Sequence, residues 1–287
     1  MSELVDWPRP QFDPLAESSG REAEVFHLIV GPAPAQPLSV SRRRHHLDRI
    51  EPALNVSVHR RAEDPPWFDA WFHGPLGSAI DGLFSNADEL RAAQTLTIVR
   101  GKFPDSPDLN YLRNTVGVVS AIADTPGTLA IFDALATTWW RLSEWREAFV
   151  DRSEFRIADH VFIAVTQDEQ HGPGIWTHTR GMIKFARPEL QIKHIGGDYA
   201  TGNPAIRASG NVLNGIASYL AQGAVLRDGQ SMYLPETDAT IMFVEHDDAA
   251  TRKRFNNSAL DICDFNPRTG LAAEGANRLL ERAAARM

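Results

Sequence analysis

The apolar residues of this chain fall into short runs that alternate between two periods, and the alternation predicts both strands and helices. Residues 25–30, Val25-Phe26-His27-Leu28-Ile29-Val30, form a β-rich run that stops at the turn signal Gly31-Pro32. Residues 55–59 alternate apolar and polar in the manner of a half-buried strand, and residues 95–99 predict another. Ser106-Pro107 is a favourable cap and first-turn pair, after which Leu109, Leu112, Val116, Val119 and Ile122 recur at helical spacing. Thr125-Pro126-Gly127 stops that helix, residues 129–132 read as a short buried strand, and Trp139, Trp140 and Trp145 sit around a helix opening near Ser143. Between the first strands, residues 42–50 suggest a short helix. Residues 64–93 read as an aromatic-anchored loop and short helix whose Trp and Phe side chains belong to the core.

A second block repeats the order loosely. It has a strand at 160–166, a polar loop at 167–174, a strand at 175–180, a short helix holding Met182, Ile183 and Phe185, and a strand at 190–195. Asn203-Pro204 then leads a helix with Ile206, Val212, Leu213, Ile216 and Leu220 on one face, closed by Gly223. Gly210 and Gly215 inside it each cost about 1 kcal/mol relative to Ala, which predicts close packing against a neighbour. Val225-Leu226, a tight turn at Asp228-Gly229 and Met232-Tyr233-Leu234 read as a hairpin, followed by a strand at 240–244 and a peripheral helical tail over 271–286. The fold class is α+β, with mixed sheets built from two loosely similar strand-helix-strand blocks and packed helices. Pro8, Pro10 and Pro14 mark residues 1–23 as an extended arm. Residues 24–94 form an N-terminal α/β segment, and 95–287 form an α+β region coupled to it as one compact unit.

Composition narrows the partners. With 287 residues, 43% hydrophobic and 23% charged, the chain can bury a sizeable core, and a formal net charge of -8 argues against nucleic acid. The basic run Arg42-Arg43-Arg44-His45-His46 reads as a solvated face, with anion binding as its alternative. The single cysteine, Cys263, excludes an internal disulfide, and neither a secretory leader nor a membrane span is legible, so the expectation is a cytoplasmic protein.

Four segments carry a resemblance. Thr179-Arg180-Gly181-Met182, Pro188-Glu189-Leu190-Gln191-Ile192, Ala217-Ser218-Tyr219-Leu220 and Asp228-Gly229-Gln230-Ser231 occur in an order similar to that of an uncharacterised bacterial domain-of-unknown-function family, and the chain resembles this DUF4261-like family over roughly residues 96–234. The family pattern usually has Gly near Ala186, where this chain departs. The resemblance implies an α+β architecture and adds weight to an interaction or immunity-type role. It supplies no catalytic residues.

Candidate chemistry centres on residues 175–180. Strand alternation puts Trp176, His178 and Arg180 on one face, a set able to grip an anionic or planar group, with Thr177 and Thr179 on the other. The plainer reading is that this face is solvated or covered by an acidic neighbour. Glu189 is expected to fix a loop through the N–H groups of a turn or through Arg180, so Thr179, Gly181 and Glu189 are structural, as are Asp228 and Gly229. His171, His178, Glu189 and His194 lack compact metal-ligand spacing, His246-Asp247-Asp248 reads as a solvated turn, and Cys263 beside Ile262 reads as a buried thiol, so neither metal nor cofactor is expected. The first functional expectation is a binding module for a protein partner with a basic surface. The alternative is a hydrolase on a small anionic substrate, with His178 as acid or base, Arg180 holding the anion and Glu189 orienting either; catalysis is left open.

Overall fold

A computed structural model describes residues 6–14, 21–47, 49–152, 154–167, 174–197 and 203–286. They fall into two compact units, one within Met1–Arg9 and Gly20–Asp159 and the other within Pro10–Ser19 and His160–Met287. Both combine a largely antiparallel sheet with packed helices, an α+β architecture.

The first unit contains β1 (Glu22–Val30), α1 (Arg42–His45), β2 (Leu54–Arg60), α2 (Pro65–Asp69), α3 (Gly74–Leu83), α4 (Ala87–Arg91), β3 (Thr95–Pro104), α5 (Asn110–Ala123), β4 (Ala130–Asp133), β5 (Thr138–Trp140) and α6 (Leu142–Trp145). Its sheet runs β2-β3-β1-β4-β5, every neighbour antiparallel. A boundary near residue 95 would fall inside this sheet, because β3 pairs with β1 along its whole length and with β2 on its other edge. Leu28, Val30, Leu96, Ile98 and Phe132 form one core with Phe68 of α2, Ile80 of α3 and Phe72 from the turn between them, so the aromatic stretch 64–93 is core, built as three short helices.

Two local expectations fail here for identifiable reasons. Ser106-Pro107 does not cap α5: the Ser106 hydroxyl donates to Asp108 O, the Pro107 carbonyl accepts from Arg9 N–H, and the helix begins at Asn110. Trp139 and Trp140 lie on a strand rather than a helix; Trp139 packs tilted against Phe132, its ring centroid 4.6 Å away, and this packing overrides the helical reading of the Trp-rich run. The basic run is held internally by Asp124, whose carboxylate meets Arg44 Nε at 2.7 Å, His45 Nε2 at 2.8 Å and Arg146 at 3.1 Å.

The second unit contains β6 (Phe162–Gln167), β7 (Ile175–Arg180), β8 (Glu189–Ile195), α7 (Pro204–Ala221), β9 (Ser231–Leu234), β10 (Ala239–His246), α8 (Ala249–Phe255), β11 (Ala259–Asn266), β12 (Leu271–Ala272) and α9 (Asn277–Ala284). Its strand order is β6-β7-β8-β11-β10-β9, with β12 on β11, and β8 and β11 pair in parallel. Asn203 caps α7 by accepting from Ala205 N–H, as its sequence predicts. The hairpin is displaced by one element. β9 pairs with β10 across the turn at 235–238, while Asp228 precedes β9 and its carboxylate accepts from Glu245 N–H, so Asp228-Gly229 anchors β9 to β10 from outside the hairpin turn. The tail is not a continuous helix over 271–286, and α9 is not peripheral: Leu279 and Leu280 are buried and α9 packs on α7. Among the described residues nothing lies close to Gly210 or Gly215, so the expected close packing is not what places them.

Candidate functional site

The second sheet has two unlike faces. Strand alternation turns Leu190, Ile192, Leu260, Ile262, Ile241 and Phe243 to one side, where α7 and α9 pack. The opposite side carries Trp176, His178 and Arg180 on β7, Glu189, Gln191 and Lys193 on β8, and Asp261 and Cys263 on β11, as the pairing of His178 with Gln191 and of Gln191 with Asp261 requires. The polar positions expected on one face of residues 175–180 therefore belong to a polar face that crosses several strands.

Trp176, His178 and Arg180 are packed under α8. His178 stacks on Trp176 with centroids 4.0 Å apart, and Phe255 meets both rings edge-on. Arg180 lies over the Phe255 ring and donates to Arg254 O at 2.6 Å, while Arg254 lies over Trp176. His178 is 3% exposed. The clefts described at this unit's surface are lined by other residues.

Glu189 is buried at the start of β8. Its Oε1 accepts from Gly181 N–H at 3.0 Å and Met182 N–H at 2.9 Å, and its Oε2 from the Thr179 hydroxyl at 2.7 Å, which itself accepts from Leu190 N–H. The carboxylate thus ties β7, the Gly181 turn and β8 together. It is not ion-paired with Arg180, although Arg180 sits across from it on β7; burial raises the Glu189 pKa against the opposing pull of Thr179, the turn amides and Arg180. Burial likewise lowers that of Arg180. Gly181 has φ 109 and Ala186 φ 55, both in the left-handed region. Ala186 thus occupies a backbone position that favours glycine. Arg187, 1% exposed, donates to Ala224 O and Gly223 O, both at 2.7 Å, and anchors the chain after α7.

A polar relay missed in the sequence starts at Trp176. Its Nε1–H donates to Gln191 Oε1 at 3.0 Å, Gln191 Nε2 donates to Asp261 Oδ1 at 2.5 Å, and Lys193 Nζ and His246 Nε2 each lie 3.0 Å from Asp261 Oδ2. The hint was the alternation Glu189-Leu190-Gln191-Ile192-Lys193 and Leu260-Asp261-Ile262-Cys263, polar on one face and apolar on the other. His246 is accordingly not a merely solvated turn.

The relay ends at a cleft of about 230 Å³. β8 and β11 pair only as far as Gln191 and Asp261; beyond that, Asp264 N–H donates to Gly275 O and Ala273 N–H to Asp264 O, so residues 273–275 run along β11 in place of β8. The β7–β8 register shifts at this end and His194 takes φ 57, a bulge of the kind that re-aims side chains. Lys193, His194, His246, Asp261, Cys263 and Glu274 line the cleft. Cys263 is no ready nucleophile, because burial and then Asp261 push its thiol up to about 11. No three His, Cys, Asp or Glu side chains among the described residues could hold a metal ion, and His171 lies outside them.

On the other face a larger cleft of about 460 Å³ runs between α7, β9 and α9. Its walls include Ala208, Val212, Gly215, Ile216 and Tyr219 of α7 and Met232 and Leu234 of β9, with Glu236 and Arg286 at its rim. No helix among the described residues is long and apolar enough to cross a membrane. No family model, curated protein or solved structure matches the chain.

Proposed function

We propose that this protein is a binding module whose second unit receives an apolar helical segment of a protein partner in the α7–β9–α9 groove. The observation that carries the reading is the groove wall of α7, where Ala208, Asn211, Val212, Gly215, Ile216 and Tyr219 recur at helical spacing without a charge and lie against Met232 and Leu234. A solvated helix face ordinarily carries Lys, Arg, Asp or Glu, and an uncharged groove wall of this kind, buried at Ala208 and Ile216 and open at Asn211, Gly215 and Tyr219, fits an interaction surface. Tyr219 is 41% exposed, and the open space at Gly215 admits a close approach by a partner. The groove matches the mode in which an amphipathic helix inserts side chains one turn apart. Glu236, exposed at the rim with no side-chain hydrogen bond among the described residues, favours a partner with a basic residue flanking its apolar stripe, consistent with a chain of net charge -8. An immunity-type role would be one case of such pairing.

The hydrolase alternative rests on His178, Arg180 and Glu189, and their burial weighs against it. A general base must reach the proton it removes, whereas His178 is enclosed by Trp176 and Phe255 and Glu189 is engaged by three donors. The test is stoichiometric co-purification from the native host of the wild-type chain and of Gly215→Trp, which fills the groove from an exposed position. The reading expects a defined partner with wild type and its loss with the variant; retention by the variant would refute the groove as the docking surface.

A further inference from the structure

The relay from Trp176 ends in groups that the interior does not consume. Asp261 has both oxygens engaged, by Gln191 on one and by Lys193 and His246 on the other. Lys193 spends one of its three N–H groups there, leaving two directed elsewhere. His246 Nε2 lies 3.0 Å from Asp261 Oδ2, and Nδ1 is its second ring nitrogen; in the tautomer with the proton on Nε2, Nδ1 is an acceptor. Glu274 is exposed at the rim, and its carboxylate makes no hydrogen bond or ion pair among the described residues. The cleft of about 230 Å³ is thus lined by an ammonium donor and an imidazole that share one oxygen of Asp261, and by the carboxylate of Glu274.

From this geometry we infer that the cleft between β8, β11, β10 and residues 272–275 binds a small zwitterion of the α-amino-acid class, its carboxylate on Lys193 and its ammonium between His246 Nδ1 and Glu274. A simple anion would meet Lys193 but also Asp261 and Glu274, and a simple cation would meet the reverse conflict. Only a ligand carrying both charges satisfies both ends. The volume is below the roughly 300–1,000 Å³ of pockets for drug-sized molecules, which sets the ligand at metabolite size. Val244, Ala272 and Ala273 supply an apolar wall for a short side chain. Gln191 and Trp176 are positioning residues: they orient Asp261, which in turn orients Lys193 and His246. The inference stands independently of the groove, which lies on the opposite face of the sheet.

The test is a titration of the full chain with L-alanine, followed by amide proton and nitrogen chemical shifts, with acetate and methylammonium as probes carrying one charge each. Saturable shifts are expected at Gly275, Ala273 and Lys193, with L-alanine half-saturating at a concentration at least about tenfold below either probe, the factor expected of one additional charge-assisted hydrogen bond. Glu274→Gln, a substitution at an exposed position, should weaken L-alanine about tenfold while acetate, relieved of a like charge, binds no more weakly than before; Lys193→Met should weaken both. The inference is overturned if L-alanine gives no saturable shift, if all three probes act alike, or if Glu274→Gln leaves L-alanine binding unaltered. Should Lys193→Met not fold, the Glu274→Gln comparison decides alone.

Discussion

The imidazole of His178 lies face to face with the indole of Trp176, their planes 21° from parallel, and Phe255 closes the pair edge-on. Adjacent positions of like direction on β7 thereby become one packed ring cluster, and side chains able to grip a ligand serve instead to seat α8. Removing the Phe255 ring should cost about 3–5 kcal/mol, the range for a buried Phe→Ala. Denaturant unfolding of Phe255→Ala measures it, and a loss below about 1 kcal/mol would mean that α8 is not held by this cluster.

Glu189 should impose a pH dependence on stability. Its folded pKa is raised above the ordinary value of 4.5 by burial, so its ionisation costs the folded state. The contribution is fully present below the unfolded pKa and is lost as pH rises through the higher folded pKa. Glu189→Gln should flatten this slope, while Glu189→Ala, which orphans the Gly181 and Met182 N–H groups, should cost several times the roughly 1–3 kcal/mol of a single unmet donor at most, and at least one such increment. Unfolding free energies at several pH values above 4.5 check both.

The turn between β7 and β8 gives a paired prediction. Ala186→Gly relieves a left-handed alanine costing roughly 1 kcal/mol or more, offset by the extra flexibility of glycine in the unfolded chain, and should be neutral or mildly stabilising. Gly181→Ala strains a residue at φ 109 and should destabilise. Thermal unfolding of both variants separates these signs.

Cys263 should react slowly with iodoacetamide at neutral pH, because its thiol is pushed up to about 11. The alkylation rate of the folded protein should keep rising through pH 9 and 10 instead of levelling near the pKa of a free thiol, about 8.5. A plateau near that value would place the thiol in water.

Much of this was legible in the chain. Residues 175–180 and 190–195 read as strands because their periods are local, and Asn203-Pro204 capped α7 through its own side chain. The strand position of Trp139 and Trp140 was hidden because it depends on packing against Phe132, contributed by a neighbouring strand. The shared face of Trp176, His178 and Arg180 followed from alternation, but their enclosure did not, because Phe255 comes from a helix distant in sequence. Likewise Asp261 joins Gln191, Lys193 and His246 only because β11 inserts between β8 and β10, a strand order that no local pattern encodes.

The most direct measurement of the groove is photo-crosslinking in the native host, with a benzophenone amino acid placed at Tyr219 in the groove or at Asp247 away from it. Tyr219 lines the cleft, whereas Asp247 is outside it and exposed. A binding module acting through α7, β9 and α9 predicts one discrete protein adduct from position 219, none from position 247, and its disappearance when Gly215→Trp is added. Equal labelling from both positions, or an adduct at 219 that survives Gly215→Trp, would contradict it.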